Sequence, residues 1–381
     1  MGERTPAETA FLHFLSALCL FAAARAFPHV TGVFLIVVGP PTVPAQLSAA
    51  AAHGLCGVLG SNGDTLLAAD SSFQHKNTSF PDARRRKFRN TLLEYHTFGT
   101  DAPVWAFFSA NLFLFGAICG IIGPKGMEKN MNDFWKSYDI THAELGPNFR
   151  CYPLYGKIHL IELALSLVFI VGMALWYRRS SASARRRILV GVTIALLADE
   201  AALLLGMALT GQWNWSYLPL HLCSINVFVC LYNTLTDQNW CKEELYALCI
   251  PGAALALLCP SWLDVPSWWT LINLHSISIH ALLVLYPVLL VVRGYRPSAR
   301  RAPQVLAFLF GSALPIYFLN KPLNTNFYFL NNPYGNVITS AFTRLLGEKY
   351  YILGFLPAIA VALCLMYLPW VVADAQHKKR K

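Results

Sequence analysis

The stretch WWTLINLHSISIHALLVLYPVLLVV, residues 268–292, runs directly into RGYRPSARR, residues 293–301. Its first part holds no Asp, Glu, Lys or Arg, and its second holds four arginines. A bilayer core of about 30 Å is crossed by roughly 20 mostly apolar residues of α-helix, because each residue rises about 1.5 Å. An apolar run of this length that stops at a basic cluster is the pattern of a transmembrane helix ending at the cytoplasmic surface.

Working outward, the same pattern recurs at 157–177, 188–210, 217–236, 245–261, 303–320 and 350–373. The expectation is an all-α polytopic membrane protein, a bundle of about seven transmembrane helices. The fourth run in chain order, 245–261, is short and carries Pro251-Gly252, so a kink or tilt is expected there. Bulk composition agrees, with 55% hydrophobic and 13% charged residues and a mean hydropathy of +0.44. Soluble domains carry about 25% charged residues.

The formal charge of +10 sits in short clusters between apolar runs, which is a topology signal rather than a nucleic-acid groove. Membrane lipids are therefore the expected partners and nucleic acid is not. Oligomeric state is not legible. The ten cysteines include no CxxC pair, and most lie inside apolar runs. Neither a zinc site nor a disulfide framework is indicated, and no cofactor is expected.

Orientation follows from the connections. Arg178, Arg179, Arg185, Arg186 and Arg187 join the first two runs, and Arg293, Arg296, Arg300 and Arg301 follow the fifth. The chain ends His377-Lys378-Lys379-Arg380-Lys381, whereas 211–216 and 262–267 hold no Lys or Arg. A cell-membrane protein with its C-terminus cytoplasmic satisfies these connections.

Residues 1–130 read differently. Residues 10–38 are apolar but interrupted by Arg25, Pro28 and His29, and Ala24-Arg25-Ala26 has the look of a signal-peptidase site. Residues 40–100 lack periodicity, and 103–123 form one more span-length run, giving one or two further apolar segments upstream. The alternative is an upstream extension, with the domain proper covering 131–381.

An ionisable group inside a span is unfavourable by about 2.5–3.5 kcal/mol on insertion scales, so it tends to face the bundle interior and to carry function. Such groups are His159 and Glu162, Asp199 and Glu200, His221, and His275 and His280. Cys223, Asn226 and Asn320 add polar atoms. With the expected topology these gather in the outer half of the bilayer, around a polar cavity open to the extracytoplasmic side.

If Cys223 is a nucleophile, its base must come from another helix, with His280 or His275 the candidates, since a free thiol has a pKa near 8.5. Two residues apart on a helix are about 200° apart, so His221 and Cys223 are not expected to line one narrow face. Likewise only one of His275 and His280 is expected to face the thiol. One of Asp199 and Glu200 can orient a histidine. A metal site from His221, His275, His280 and a carboxylate lacks HxxxH spacing. The plain alternative is that Cys223 packs as a small residue and the histidines and acids only join helices. Leu319 to Leu330, rich in Asn and aromatics and including Asn326, is either a cap over the cavity or an interfacial loop.

Together PLHLCSINVF (219–228), LHSISIHALLVLYP (274–287), LNKPLNTNFYFL (319–330) and Tyr350-Tyr351-Ile352-Leu353 resemble the YwaF-like integral membrane proteins of bacteria, a family similar to the animal transmembrane protein 164 family. The likeness runs from about Met131 to the end. It implies a lipid-directed acyltransferase that carries the acyl chain as a cysteine thioester helped by a histidine. Carried over, the cysteine is Cys223 and the histidine His280 or His275. Asn226 or Asn320 is then a donor to the oxyanion, and His221, Asn226, Glu162, Asp199, Glu200, Asn320 and Asn326 surround the substrate. A transporter or small-ligand binder, or a non-catalytic membrane component, are the other readings; against the transporter stands the lack of an inverted repeat.

Overall fold

Apolar length becomes helix here with little interruption. The structure, a computed structural model, describes residues 133–146, 149–333 and 336–379. The upstream runs at 10–38 and 103–123 and the boundary near residue 130 lie outside the described residues. A short helix α1 (Tyr138–Leu145) is followed by α2 (Lys157–Arg179), α3 (Ala182–Leu209), α4 (Leu222–Thr236), α5 (Asn239–Glu244) and α6 (Ile250–Leu258). Then come α7 (Leu271–Val292), α8 (Ala302–Leu323), α9 (Val337–Leu346) and α10 (Phe355–Lys379). Among the described residues no strand occurs, and six helices are long and apolar enough to cross a membrane.

The remaining expected span, 245–261, is the irregular one. α5 and α6 are joined without a break by a π-helical turn, Leu245–Cys249, in which the Ile250 amide donates to the Leu245 carbonyl five residues back. Pro251 explains the widening: it has no N–H for the Ala247 carbonyl and its ring crowds that turn. The sequence reading located the irregularity at the proline itself, and the structure puts it one turn earlier.

α7 is the hub. It is the most fully buried of the long helices and packs against α2, α3 and α6. Its Tyr286 is completely enclosed. The phenol donates to the Cys230 carbonyl (3.1 Å), accepts from Asn233 Nδ2 (3.0 Å), and pairs with Thr234 Oγ1 (2.7 Å), which in turn meets Thr193 Oγ1 (2.7 Å). In hydrocarbon, where apolar contact does not distinguish a neighbour helix from lipid, such bonds hold α3, α4 and α7 in register. Pro287 deprives the Leu283 carbonyl of its helical donor, and the Cys249 thiol supplies one (3.4 Å).

The arginine-bearing ends of α2, α3, α7 and α8 form one end of the bundle. At the opposite end α1 is fastened across the loops, with the Ser137 amide donating to Gln212 Oε1 (2.7 Å) and the Leu271 amide donating to the Phe134 carbonyl (2.8 Å).

Candidate functional site

The polar residues picked out from the sequence fall into three separate places, and only one is a cavity. The first is a closed knot near the start of α2. Tyr152 Oη donates to Glu162 Oε2 (2.6 Å) and lies 3.0 Å from Asn273 Oδ1, while Asn273 Nδ2 donates to Glu162 Oε1 (3.1 Å). His159 is similarly committed: Nδ1 accepts from the Tyr155 amide (3.0 Å), so Nε2 is the donor to the Leu257 carbonyl (2.9 Å). Glu162 therefore pins α2 to α7 and does not line the cavity, contrary to the grouping expected from topology.

The second place is Asn320, at the end of α8. Its Nδ2 donates to the Phe327 carbonyl (3.0 Å) and Asn331 Oδ1 (2.7 Å), and its Oδ1 accepts from Thr325 Oγ1 (2.9 Å) and the Phe327 amide (2.9 Å). Every hydrogen-bonding position is used, so the amide has nothing to offer an oxyanion. Asn326 Oδ1 accepts from the Asn331 and Asn332 amides (3.0 Å each). These two asparagines over-determine a tight segment in which Asn324, Tyr328 and Phe329 adopt φ of 52°, 58° and 56°. Left-handed backbone at Tyr and Phe is unfavourable by about 1–2 kcal/mol per residue, so the asparagine bonds are what hold it.

That segment is the cap. Asn326 to Leu330 line a cavity of about 1140 Å³, and the rings of Phe327 and Phe329 stand 5.1 and 5.7 Å from the His221 ring. Tyr328 Oη donates to Ser312 Oγ (3.1 Å) and Tyr351 Oη to the Phe329 carbonyl (2.9 Å), which stitches the cap to α8 and to the start of α10. Burial pushes the Tyr328 phenol well above its usual range, so it stays a neutral donor.

The cavity is the third place. It is lined by His221, Cys223, Glu200, His275, His280 and Asn326 among walls that are mainly apolar. His221 and Cys223 share it after all, because His221 is not in the helix. Its φ and ψ of −66° and 153° are extended, and α4 begins at Leu222. The 200° argument assumed a helix running through residue 221. Pro219 was the available signal, since the residue before a proline is steered to extended backbone, and Leu218 has φ −58° and ψ 141°.

Cys223 thus occupies the first turn of α4, and no side chain caps that turn. The first backbone N–H groups of a helix lack intrahelical acceptors and carry partial positive charge, so amide donors stand beside the sulfur. Asn226, one turn on, is buried below the cavity rather than lining it, and its Oδ1 has no hydrogen-bond donor. It stands beside Glu244 at the π turn.

The two histidines of α7 both reach the cavity, and each is fixed at Nδ1. His275 Nδ1 lies 3.3 Å from Asp199 Oδ1, while Asp199 Oδ2 accepts from Ser278 Oγ (2.7 Å). His280 Nδ1 lies 2.5 Å from the Ser276 carbonyl, and its ring stacks on Trp262 at 4.9 Å and 10°. A carbonyl and a carboxylate only accept, so both rings carry hydrogen on Nδ1. In the neutral His280 ring this leaves a lone pair on Nε2. Glu200 lies beside Ser224, with one buried carboxylate oxygen lacking a donor. Asp199 does not line the cavity itself. Trp262, absent from the sequence reading, owes its role to a contact made by a loop, where apolar periodicity carries no information. Among the described residues no three His, Cys, Asp or Glu side chains are grouped to hold a metal ion.

A family model described as the TMEM164 family matches residues 154–367, more than half of the chain and all of the cavity residues just described on α3, α4, α7 and the cap. No curated protein and no solved structure matches.

Proposed function

The chain belongs to the TMEM164 family of multi-pass membrane proteins, and on that premise we propose that it transfers a fatty acyl group between membrane lipids through a thioester on Cys223. The observation that carries this reading is the placement of the Cys223 thiol. It sits in the uncapped first turn of α4, in an apolar cavity shared with two histidines tied at Nδ1.

In the proposed sequence His280 Nε2 takes the thiol proton, and the Cys223 sulfur attacks the ester carbonyl of a lipid. The carbonyl oxygen becomes an oxyanion held by the amides at the start of α4 and by His275, whose Nδ1 faces Asp199. The ester C–O bond breaks, the departing alkoxide takes the proton from His280, and the acyl group remains as a thioester. A hydroxyl of a second lipid then gives its proton to His280, attacks the thioester, and returns the proton to sulfur. His280 is assigned as the base because its polar partner is a backbone carbonyl, whereas His275 is paired with the Asp199 carboxylate. Glu200 and Asn326 bound the substrate space.

The cavity is slightly larger than the usual range for ligand sites, about 300–1,000 Å³, and its mainly apolar walls give an acyl chain surroundings like those of the bilayer it leaves. Comparative lipid analysis of membranes carrying the native protein or Cys223→Ala tests the reading. The variant is expected to insert normally and to lose acyl exchange; an unchanged lipid profile overturns it. Ligand stabilisation or transport that survives Cys223→Ser would point to a binding protein instead.

A further inference from the structure

Most of the cavity wall belongs to tightly packed helices, but one side does not. α8 and α10 both contribute lining residues, yet they do not pack against each other along their length. They come together toward the arginine-bearing end, where Val305, Leu309 and Tyr367 cluster with Tyr246, Ala247 and Leu248 of the π turn. Beyond that cluster the lining from these two helices includes three small residues, Ala313 on α8 and Ala358 and Ala362 on α10.

Beside them Phe310, Leu314 and Leu356 line the same cavity and are nevertheless 49%, 63% and 51% exposed. A side chain that belongs to a cavity's lining and is also half open marks where the cavity reaches the outer surface. Both helices here are long and apolar enough to span a membrane, so the surface reached is the one that meets hydrocarbon. At the opposite end the lining turns polar, with Asp139, Asn214 and Ser216 beside the cap, so an opening there meets water and not hydrocarbon. The cap there is knotted by Asn320 and Asn326 and clamped on His221.

We infer that the gap between α8 and α10 is a lateral portal, through which an acyl chain of a bilayer lipid passes into the cavity without leaving hydrocarbon. The inference rests on reading the cavity as an acyl-chain site, but it does not require Cys223 to react. An apolar chain sliding sideways from the bilayer keeps apolar surroundings throughout, whereas a route through water exposes every methylene. The alanines in this part of the lining leave room for a chain, and the leucines and phenylalanine beside them match it chemically.

The test uses the full chain in vesicles of phosphatidylcholine doped with a phosphatidylcholine that carries a diazirine near one acyl terminus. In the native protein, light is expected to attach the probe within 310–317 of α8, within 355–362 of α10, and on the inner wall near Ile279 of α7. Ala313→Trp with Ala358→Trp fills the gap and is expected to lower inner-wall labelling at least tenfold, with the outer surfaces of α8 and α10 still labelled. Leu356→Trp, a milder change at an exposed position, repeats the measurement if the double variant does not fold. Inner-wall labelling that is absent from the native protein, or that is unaltered by filling the gap, overturns the portal. Cys223→Ala is expected to crosslink as the native protein does. If the native protein crosslinks at the inner wall but transfers no acyl group, the catalytic reading fails and the portal stands.

Discussion

Replacing Asn320 by alanine should release the cap while leaving the bundle folded. The side chain makes four hydrogen bonds, to the Phe327 amide and carbonyl, Thr325 Oγ1 and Asn331 Oδ1. At about 1 kcal/mol net each, they hold the segment with roughly 4 kcal/mol. Against them stand Tyr328 and Phe329 in left-handed backbone, together unfavourable by about 2–4 kcal/mol. The two quantities are of the same size, so deleting the amide tips the balance and the strain is relieved by local opening. A loss of about 4 kcal/mol corresponds to nearly three decades in the opening equilibrium. Hydrogen exchange read by mass spectrometry should show the Phe327 amide exchanging at least a hundredfold faster in Asn320→Ala, with the amides of α7 around Leu283 unaltered. Thr325→Val removes one of the four bonds and should accelerate the same amide by tenfold or less. Unchanged protection at Phe327 in the alanine variant would refute the claim that Asn320 holds the cap. Equal acceleration across α7 would refute its being local.

Other outcomes follow from the same geometry. Tyr152→Phe removes the hydroxyl that donates to Glu162 in the knot and should lower thermal stability in detergent by about 1–3 kcal/mol. Because the knot is outside the cavity, activity per folded molecule should be unaltered. Asp199→Asn keeps the shape but removes the charge facing His275, and should slow acyl transfer by about tenfold to a hundredfold with little change in melting, whereas His280→Ala should lower it by about 10²–10⁴. Equal, small effects of both would remove the histidines from the mechanism. Cys151 lies ahead of α2, and burial pushes its thiol up to about 12. Its thiolate fraction near pH 8 is correspondingly small, so it should resist alkylation by iodoacetamide under conditions that modify a free thiol; rapid modification would contradict its burial.

The bundle was legible because hydrocarbon imposes a length on every span, and each apolar run found its helix within a few residues. Even the irregular run near Pro251 was visible, although a proline acts on the carbonyl four residues back, so the distortion appears at Leu245–Cys249. The candidate site was legible in its residue types and only partly in its grouping. Cys223, His275, His280, His221 and Glu200 meet in one cavity, while Glu162 and Asn320 are spent on structural bonds. Composition cannot separate these cases, because a buried acid is equally unfavourable whether its partner is a substrate or a tyrosine. The pairing of His221 with Cys223 was missed because the helix starts at Leu222 and not at 217, a shift that Pro219 had encoded. The cap was undecidable from sequence, since its function depends on which side of the His221 ring two phenylalanines come to rest.

The acyl-thioester is the centre of the account, and it can be sought directly. Purified protein incubated with phospholipid vesicles is digested and its cysteine peptides are weighed before and after neutral hydroxylamine. The expected result is a fatty acyl adduct on Cys223 that hydroxylamine removes and that accumulates when the accepting lipid is withheld. A protein that exchanges acyl chains at the same rate with Cys223→Ala, or that carries its adduct on another cysteine, contradicts it.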